Sequence, residues 1–298
     1  MQSTGKVRPR QGGSALRNPE FLPGAPTMVR PKRNPNGVIV GHGVSSFDGE
    51  YAPWVCVVTG LKNVSANTKT MGMVQSWIIR TDMDPTEAVN TGADKAICGD
   101  CIHRKRTYTK DGKTVRTCYV LTYQAPRSVY ECFKSGGYRE ATPSDYAKIY
   151  KSRVRIGSYG DPALMPLKAI KAITPKKKRH RTGYTQQWRT RPDLRPYIMA
   201  SVTNDKDRLE AESLGWRCFF IRPLSDLGKH LPRGYGLCPS DKSVPEHKQI
   251  SCFDCGACHG NPDETQGKGE VIYAHGAAGA RFGQESKPME RPTLKILN

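Results

Sequence analysis

The sequence predicts an α/β fold: a partial or complete parallel (β/α) barrel with a C-terminal cysteine-rich metal-binding appendage. A strand-like run at 197–202 (YIMASV), a helix-forming segment at 205–215 and a second strand-like run at 217–222 (RCFFIR) form a βαβ unit, which implies a parallel sheet. Because similar alternations occur elsewhere in the chain, a barrel is favoured over a doubly wound sheet. The appendage is predicted from the loop-rich composition after about Leu224, where four of the ten cysteines lie.

The other elements are predicted from short apolar runs and from residues that start helices. They are strands at 55–59, 74–80 and 154–157, a helix starting at Pro85, and helices at 128–134 and 143–151.

Changes in composition divide the chain into four predicted parts. They are a basic disordered arm at 1–35, an α/β barrel-like core at 36–225, a cysteine-rich cluster-binding region at 226–283 and a flexible tail at 284–298. The first part is rich in Gly, Pro and Arg and lacks apolar periodicity, which is typical of disorder.

The charge balance favours a polyanionic partner. The 298 residues carry a net charge of +20 at pH 7, and nucleic acid is the first candidate for such a basic protein. No apolar run reaches the length of a membrane span, and the N-terminal region lacks the apolar segment of a secretion signal. We therefore expect an intracellular protein without a membrane partner, in which CxxC spacings indicate metal or redox chemistry.

Four cysteines near the C-terminus form the stronger metal signal, and we call them the second cysteine set: Cys238, Cys252, Cys255 and Cys258. Four thiolates suit tetrahedral Zn²⁺ or a [4Fe–4S] cluster, and the consecutive x2 spacings favour iron–sulfur over zinc. The alternatives for a substitute ligand are His247, His259 and His275.

Three further cysteines, Cys98, Cys101 and Cys118, form the first cysteine set, with a basic insert between the last two that is compatible with a hairpin. Three protein ligands leave one position of a metal or cluster free, which is the arrangement of a catalytic site. The alternative is a zinc site in which His103 is the fourth ligand. Three isolated cysteines among apolar neighbours are predicted to lie in the core: Cys56, Cys132 and Cys218.

A glycine-containing turn, Gly157-Ser158-Tyr159-Gly160-Asp161-Pro162, directly follows a predicted strand. Glycines there permit close approach to a ligand, and Asp161 would lie at the strand end where barrel enzymes carry catalytic residues. A simple β-turn explains the same residues. Asn204 and Asp205 follow another strand and are further candidate ligand contacts.

The segment 171–195 holds nine Lys and Arg residues against one acid, with aromatic residues between them. Such residues neutralise phosphates and stack on bases, although a solvated loop is the alternative. The candidate nucleic-acid contacts are Lys176, Lys177, Lys178, Arg179, Arg181, Tyr184 and Trp188. The chain has no H-E-x-x-H motif, no deaminase signature and no hydrolase constellation.

These motifs together, with Gly183-Tyr184-Thr185-Gln186-Gln187-Trp188, resemble a phage and prophage protein family over about residues 65–276. More distantly, the layout is similar to radical S-adenosylmethionine enzymes, although their common CxxxCxxC spacing is replaced here by CxxC and a sixteen-residue gap.

This second resemblance implies that the first cysteine set holds a [4Fe–4S] cluster whose open iron binds S-adenosylmethionine. It also implies that Tyr119, Gly157, Ser158, Gly160 and Asn204 contact this cofactor, and that the second cysteine set holds an auxiliary cluster.

The implied function is a phage enzyme of the host cytoplasm that acts on nucleic acid or a nucleotide, DNA being favoured over RNA, for instance in base hypermodification. One alternative is a zinc-binding, non-enzymatic nucleic-acid protein of phage replication or regulation. The other is a zinc-dependent barrel enzyme of the base-transglycosylase type, with Asp161 or Asp205 as nucleophile.

Overall fold

The computed structural model describes residues 36–47, 49, 51–63, 67–104, 106–107, 114–261, 269–276 and 279–283. The predicted arm at 1–35 and the predicted tail at 284–298 lie outside the described residues.

Strands and α-helices alternate along most of this part of the chain. The strands are β1 (Gly37–Val44), β2 (Pro53–Thr59), β3 (Val74–Arg80), β4 (Arg106–Thr107), β5 (Thr114–Val115), β6 (Arg139–Glu140), β7 (Val154–Tyr159), β8 (Arg181–Thr185), β9 (Met199–Val202), β10 (Cys218–Arg222), β11 (Gly236–Leu237) and β12 (Glu270–Tyr273). The α-helices are α1 (Pro85–Thr91), α2 (Lys95–Cys98), α3 (Ala125–Lys134), α4 (Pro143–Lys151), α5 (Leu167–Ile173), α6 (Asp205–Ser213) and α7 (Cys252–Cys255).

Ten of these strands form one mixed, mostly parallel sheet in the order β11-β12-β10-β9-β8-β7-β3-β2-β1-β6. Every neighbouring pair from β3 to β11 is parallel, whereas β1, β2 and β3 pair in antiparallel fashion. The predicted α/β class and parallel sheet are therefore confirmed.

Local sequence explains where the helices begin. Asp84 caps α1 by accepting a hydrogen bond from the backbone N–H of Thr86 at 2.8 Å, and Pro85 occupies the first turn, where no N–H is needed. Thr142 and Asp145 form a reciprocal capping box at the start of α4. Both helices begin at the predicted residue.

The strands at the centre of the sheet are buried, and so are most of their polar residues. All seven residues of β3 and all four of β9 are buried, which is typical of parallel strands covered on both faces. The core also contains Cys56 and Cys218, with Cys132 packed against it, so the prediction that these are core residues is confirmed.

The cysteine-rich region is not a separate appendage, and this part of the prediction is not confirmed. Its strands β11 and β12 join the main sheet, and β12 pairs with β10 in parallel. Its inward side chains Cys238, Cys258 and Ile272 form one buried cluster with Met199 and Phe219 of the preceding strands. Within the part of the chain that the structure describes, no helix has both the length and the apolarity needed to cross a membrane.

Candidate functional site

A cavity of about 560 Å³ lies along one face of the parallel strands. Inward residues of β3, β7, β8, β9, β10 and β12 line it, and so do all seven cysteines of the two sets. We call it the central cavity. Its size lies within the range of small-molecule sites. The structure thus joins two motifs that are separated by more than a hundred residues in the sequence.

The first cysteine set lies at the carboxyl end of β7 and β8. Cys98 ends α2, and the neighbouring carbonyl of Ile97 accepts a hydrogen bond from the Asp161 N–H at 2.7 Å. Gly99 follows with φ 57° and ψ −138°, and a Cβ atom there would meet the side-chain amide of Gln187 at 2.6 Å. Glycine therefore allows the first CxxC to pack against the end of β8.

A hairpin returns the third cysteine to the first two. Strands β4 and β5 pair in antiparallel fashion, and the Cys118 N–H donates to the His103 carbonyl at 2.9 Å. The buried Arg104–Asp94 ion pair, 2.7 Å between Nη2 and Oδ1, fixes the loop that carries Cys101. The predicted hairpin is confirmed, and it makes the sixteen-residue gap compatible with a compact three-cysteine site.

The second cysteine set lies toward the amino ends of the parallel strands. Residues 252–261, which we call the closing segment, run across these ends. Their backbone groups bond to the backbone of Lys69 before β3, Gly183 in β8 and Arg195 before β9. Their carbonyls also accept hydrogen bonds from the side chains of Arg153 before β7 and Arg217 before β10. The two cysteine sets therefore approach the central cavity from opposite ends of the strands.

Five of these thiols, those of Cys98, Cys118, Cys238, Cys255 and Cys258, have pKa values shifted upward. Burial is the main cause for Cys98 and Cys118, and the nearby Asp94 carboxylate raises both pKa values further. Burial also raises the pKa of Cys238 to about 12. A protonated thiol is a poor nucleophile, so these residues are unsuited to covalent catalysis as free cysteines.

The seven cysteines offer the side-chain chemistry of metal ligands, but chemistry alone does not make a metal site. All seven cysteines are free of disulfide bonds and line the same cavity, and thiolates are the ligands of iron–sulfur clusters and of structural zinc. Within the described ranges, no group of three or more His, Cys, Asp or Glu side chains is arranged so that it could hold a metal ion. Of the histidines considered as ligands, His103 and His275 line the cavity, whereas His247 is exposed.

The glycine-containing turn lies at the cavity wall, and its backbone conformation and close packing require both glycines. Gly157 and Gly160 have φ values of 76° and 75°, and a Cβ atom at either would lie 2.6–2.7 Å from neighbouring atoms. The Ser158 hydroxyl donates to Gln75 Oε1 at 2.9 Å. All three residues line the cavity, as expected of ligand contacts.

Asp161 is buried and fully engaged by the protein. Its carboxylate accepts hydrogen bonds from the Ala163 N–H at 2.9 Å, the Thr185 hydroxyl at 2.7 Å and the Gln186 N–H at 2.8 Å. Burial raises the Asp161 pKa, and these donors oppose the rise. This arrangement joins the ends of β7 and β8 and leaves Asp161 poorly placed to act as a nucleophile. Asp205 is exposed and pairs with Arg208.

Three predicted contact residues have other roles. Asn204 caps α6 by accepting from the Asp207 N–H at 2.8 Å, so its side chain is committed to the helix. Trp188 is 1% exposed and belongs to the core, and Arg181 donates to the carbonyls of Pro175 and Pro196. Burial prevents Trp188 from stacking on a nucleic-acid base and removes Arg181 from the surface, which corrects both predictions.

The remaining candidate contact residues fall into two groups, because some are exposed on the surface and others line the cavity. Lys176, Lys177, Lys178 and Arg179 are exposed before β8. Tyr184 lines the cavity and stacks on Phe219 with ring centroids 4.1 Å apart, so it faces a cavity ligand rather than an external strand. Tyr119 also lines the cavity, accepts a hydrogen bond from Arg155 and stacks on His275.

Other cavity residues had no motif to identify them: Gln75, Arg155, Thr182 and Ser201. Their only signal is a polar side chain inside an otherwise apolar strand or at its end. Comparisons with protein-family models, with curated proteins and with solved structures find no match.

Proposed function

We propose that this protein is an iron–sulfur enzyme of the radical S-adenosylmethionine type that acts on a nucleotide or a nucleic acid. The observation that carries the proposal is the central cavity, because both cysteine sets line the same space beside the parallel strands. A cofactor held by one set and a substrate in the cavity would then be in direct contact.

The strand order supports a partial barrel as the scaffold. From β7 to β10, strands that are consecutive in the chain are neighbours in the sheet, and the order does not reverse there. A doubly wound sheet requires such a reversal. Parallel strands added in one direction curl around a common interior, and the inward side chains of this sheet line one cavity.

The two cysteine sets differ in the number of ligands they offer. The four thiols of the second cysteine set suit a coordinatively closed cluster, whereas the three of the first leave one position open. A [4Fe–4S] cluster at the first set would supply the electron for reductive cleavage of S-adenosylmethionine. The chain itself contributes enclosure by the strands, and it orients a ligand through Ser158 and Tyr119.

The charge distribution supports a phosphate-bearing substrate. The net charge is +20, and the exposed residues 176–179 lie next to the closing segment, where a Cβ atom on Gly256 would meet the Arg179 carbonyl at 2.4 Å. Modification of DNA bases is the narrower reaction that we propose within this class.

Anaerobic purification followed by iron analysis tests the proposal. We expect a brown protein with about eight iron atoms per chain, four for each cysteine set. Cys118→Ser should remove about half of the iron and abolish reductive cleavage of S-adenosylmethionine. Cys255→Ser should also remove about half of the iron, but from the second cysteine set.

Cys132→Ala is the matched control, because Cys132 packs against the core outside the cavity. It should retain all of the iron and the cleavage activity. A colourless protein with stoichiometric zinc would exclude the proposal, as would unchanged cleavage activity in Cys118→Ser.

A further inference from the structure

The central cavity contains buried polar atoms that have no partner among the described residues. They are Tyr159 Oη, Thr182 Oγ1 and Gln186 Oε1, in side chains that are 4%, 2% and 9% exposed. All three residues line the cavity. Buried polar groups in proteins are almost always hydrogen-bonded, so these atoms point to a bound ligand that supplies the missing partners.

A guanidinium group lies beside them. Arg155 and Thr182 are register partners on β7 and β8, so their side chains leave the sheet side by side on the cavity face. Arg155 donates to the Tyr119 hydroxyl, and no Asp or Glu of the described residues pairs with it. A cation that lines a cavity and has no carboxylate partner is suited to an anionic group of a ligand.

The part of the cavity that follows Thr182 along β8 is suited to a flat heterocycle. The Gln186 Nε2 group donates to the Ser201 hydroxyl at 2.8 Å, which leaves Oε1 as an acceptor for a ligand N–H. The stacked rings of Tyr184 and Phe219 form an aromatic wall in the same cavity. Bases are recognised through such combinations of an amide edge and an aromatic face.

We propose that Arg155 and Thr182 form a phosphate subsite of the central cavity and that its ligand is a nucleotide whose base contacts Gln186. The inference deepens the proposed function, because it names the substrate class of the same site. A free nucleotide and a nucleotide within a single strand share this phosphate chemistry, and the binding experiment separates them.

The test is equilibrium binding to the anaerobically purified full chain. The probes are the four deoxynucleoside 5′-monophosphates, the matching nucleosides, a short single-stranded oligodeoxynucleotide and S-adenosylmethionine. Arg155→Met should weaken binding of at least one monophosphate tenfold or more and leave nucleoside binding unchanged, because only the phosphate contact is lost. The near-isosteric Thr182→Val should weaken the same monophosphate several-fold, and it tests the subsite even if Arg155→Met fails to fold.

Lys148→Met is the control for the loss of one positive charge, since Lys148 is exposed on α4 and lies outside the cavity lining. It should bind every probe as the original chain does. Arg155-dependent binding of the oligodeoxynucleotide without binding of monophosphates would assign the subsite to a nucleotide within a strand.

Four results would overturn the inference, and three of them concern the Arg155→Met variant. In this variant they are a monophosphate affinity equal to that of the original chain, a loss of iron without a loss of nucleotide affinity, and a loss of affinity for S-adenosylmethionine alone. Absence of any phosphate-dependent binding to the original chain would also overturn it. If the purified protein contains no iron but still binds nucleotides through Arg155, the proposed enzymatic function is wrong and the proposed phosphate subsite is retained.

Discussion

At the residue scale, Trp188 packs where its aromatic ring stabilises the fold. Its side chain is 1% exposed, and the Arg189 guanidinium carbon lies 3.9 Å from the ring centroid. Arg189 is in turn held by Asp207 and Glu210 of α6 at 2.7 and 2.6 Å. The tryptophan therefore helps to attach the loop after β8 to the helix that follows β9.

This placement predicts that Trp188→Ala reduces stability and leaves the affinity of the folded protein for DNA unchanged. Removing a fully buried tryptophan costs about 3–5 kcal/mol in the free energy of unfolding. Urea unfolding measures the change, and Tyr123→Ala serves as control because Tyr123 is 60% exposed and such substitutions alter stability by less than about 0.5 kcal/mol. An unchanged unfolding free energy with weaker DNA binding would restore the base-stacking interpretation.

At the element scale, the hairpin between Cys101 and Cys118 allows positions that are far apart in the sequence to lie close together in space. Arg106 pairs with Val115 and Thr107 with Thr114, so the insert leaves and re-enters the site at neighbouring positions. The backbone hydrogen bond from Cys118 to His103 returns the chain to the first cysteine set, and both residues lie outside the paired strands.

We therefore expect that replacing residues 108–113 by Asn-Gly, a two-residue hairpin turn, preserves the iron that we propose for the first cysteine set. The replacement removes Lys110 and Lys113, so any part of DNA affinity that depends on the insert should fall and become less sensitive to salt. Iron analysis and binding at two salt concentrations give the two readouts. Loss of half of the iron would show that the insert does more than connect two cysteines.

At the scale of the whole molecule, the cysteine-rich region completes the sheet. Strand β12 covers the edge of β10, and the closing segment contacts the chain at the amino ends of β3, β7, β9 and β10. Its loss would expose a long strand edge and the cavity, both of which favour aggregation.

A chain shortened to residues 1–225, the predicted domain boundary, should consequently not fold cooperatively. A chain shortened to residues 1–283 keeps every described contact and should unfold in one transition. Size-exclusion chromatography and thermal unfolding followed by circular dichroism distinguish the two. A soluble, cooperatively unfolding 1–225 fragment would restore the interpretation of residues 226–283 as an appendage.

Local patterns were sufficient for many elements and for the cysteine motifs. The runs at 74–80 and 143–151 coincide with β3 and α4, and the βαβ unit ending in RCFFIR is present as β9, α6 and β10. These signals are carried by neighbouring residues, through caps, apolar runs and β-branched composition. Trp188 was misassigned because its burial depends on segments that are distant in the chain. Asn204 caps the helix that begins at the next residue, so its role was a local signal that the strand-end interpretation did not use.

By itself the sequence determined the α/β class, the two cysteine sets and the excess of positive charge, because each of these is local or compositional. The tertiary structure alone decided that both cysteine sets share one cavity, that β11 and β12 belong to the main sheet, and that Arg155 and Thr182 lie side by side. Pairing between parallel strands brings together residues that are far apart in sequence, and no short-range pattern records which strands will be neighbours.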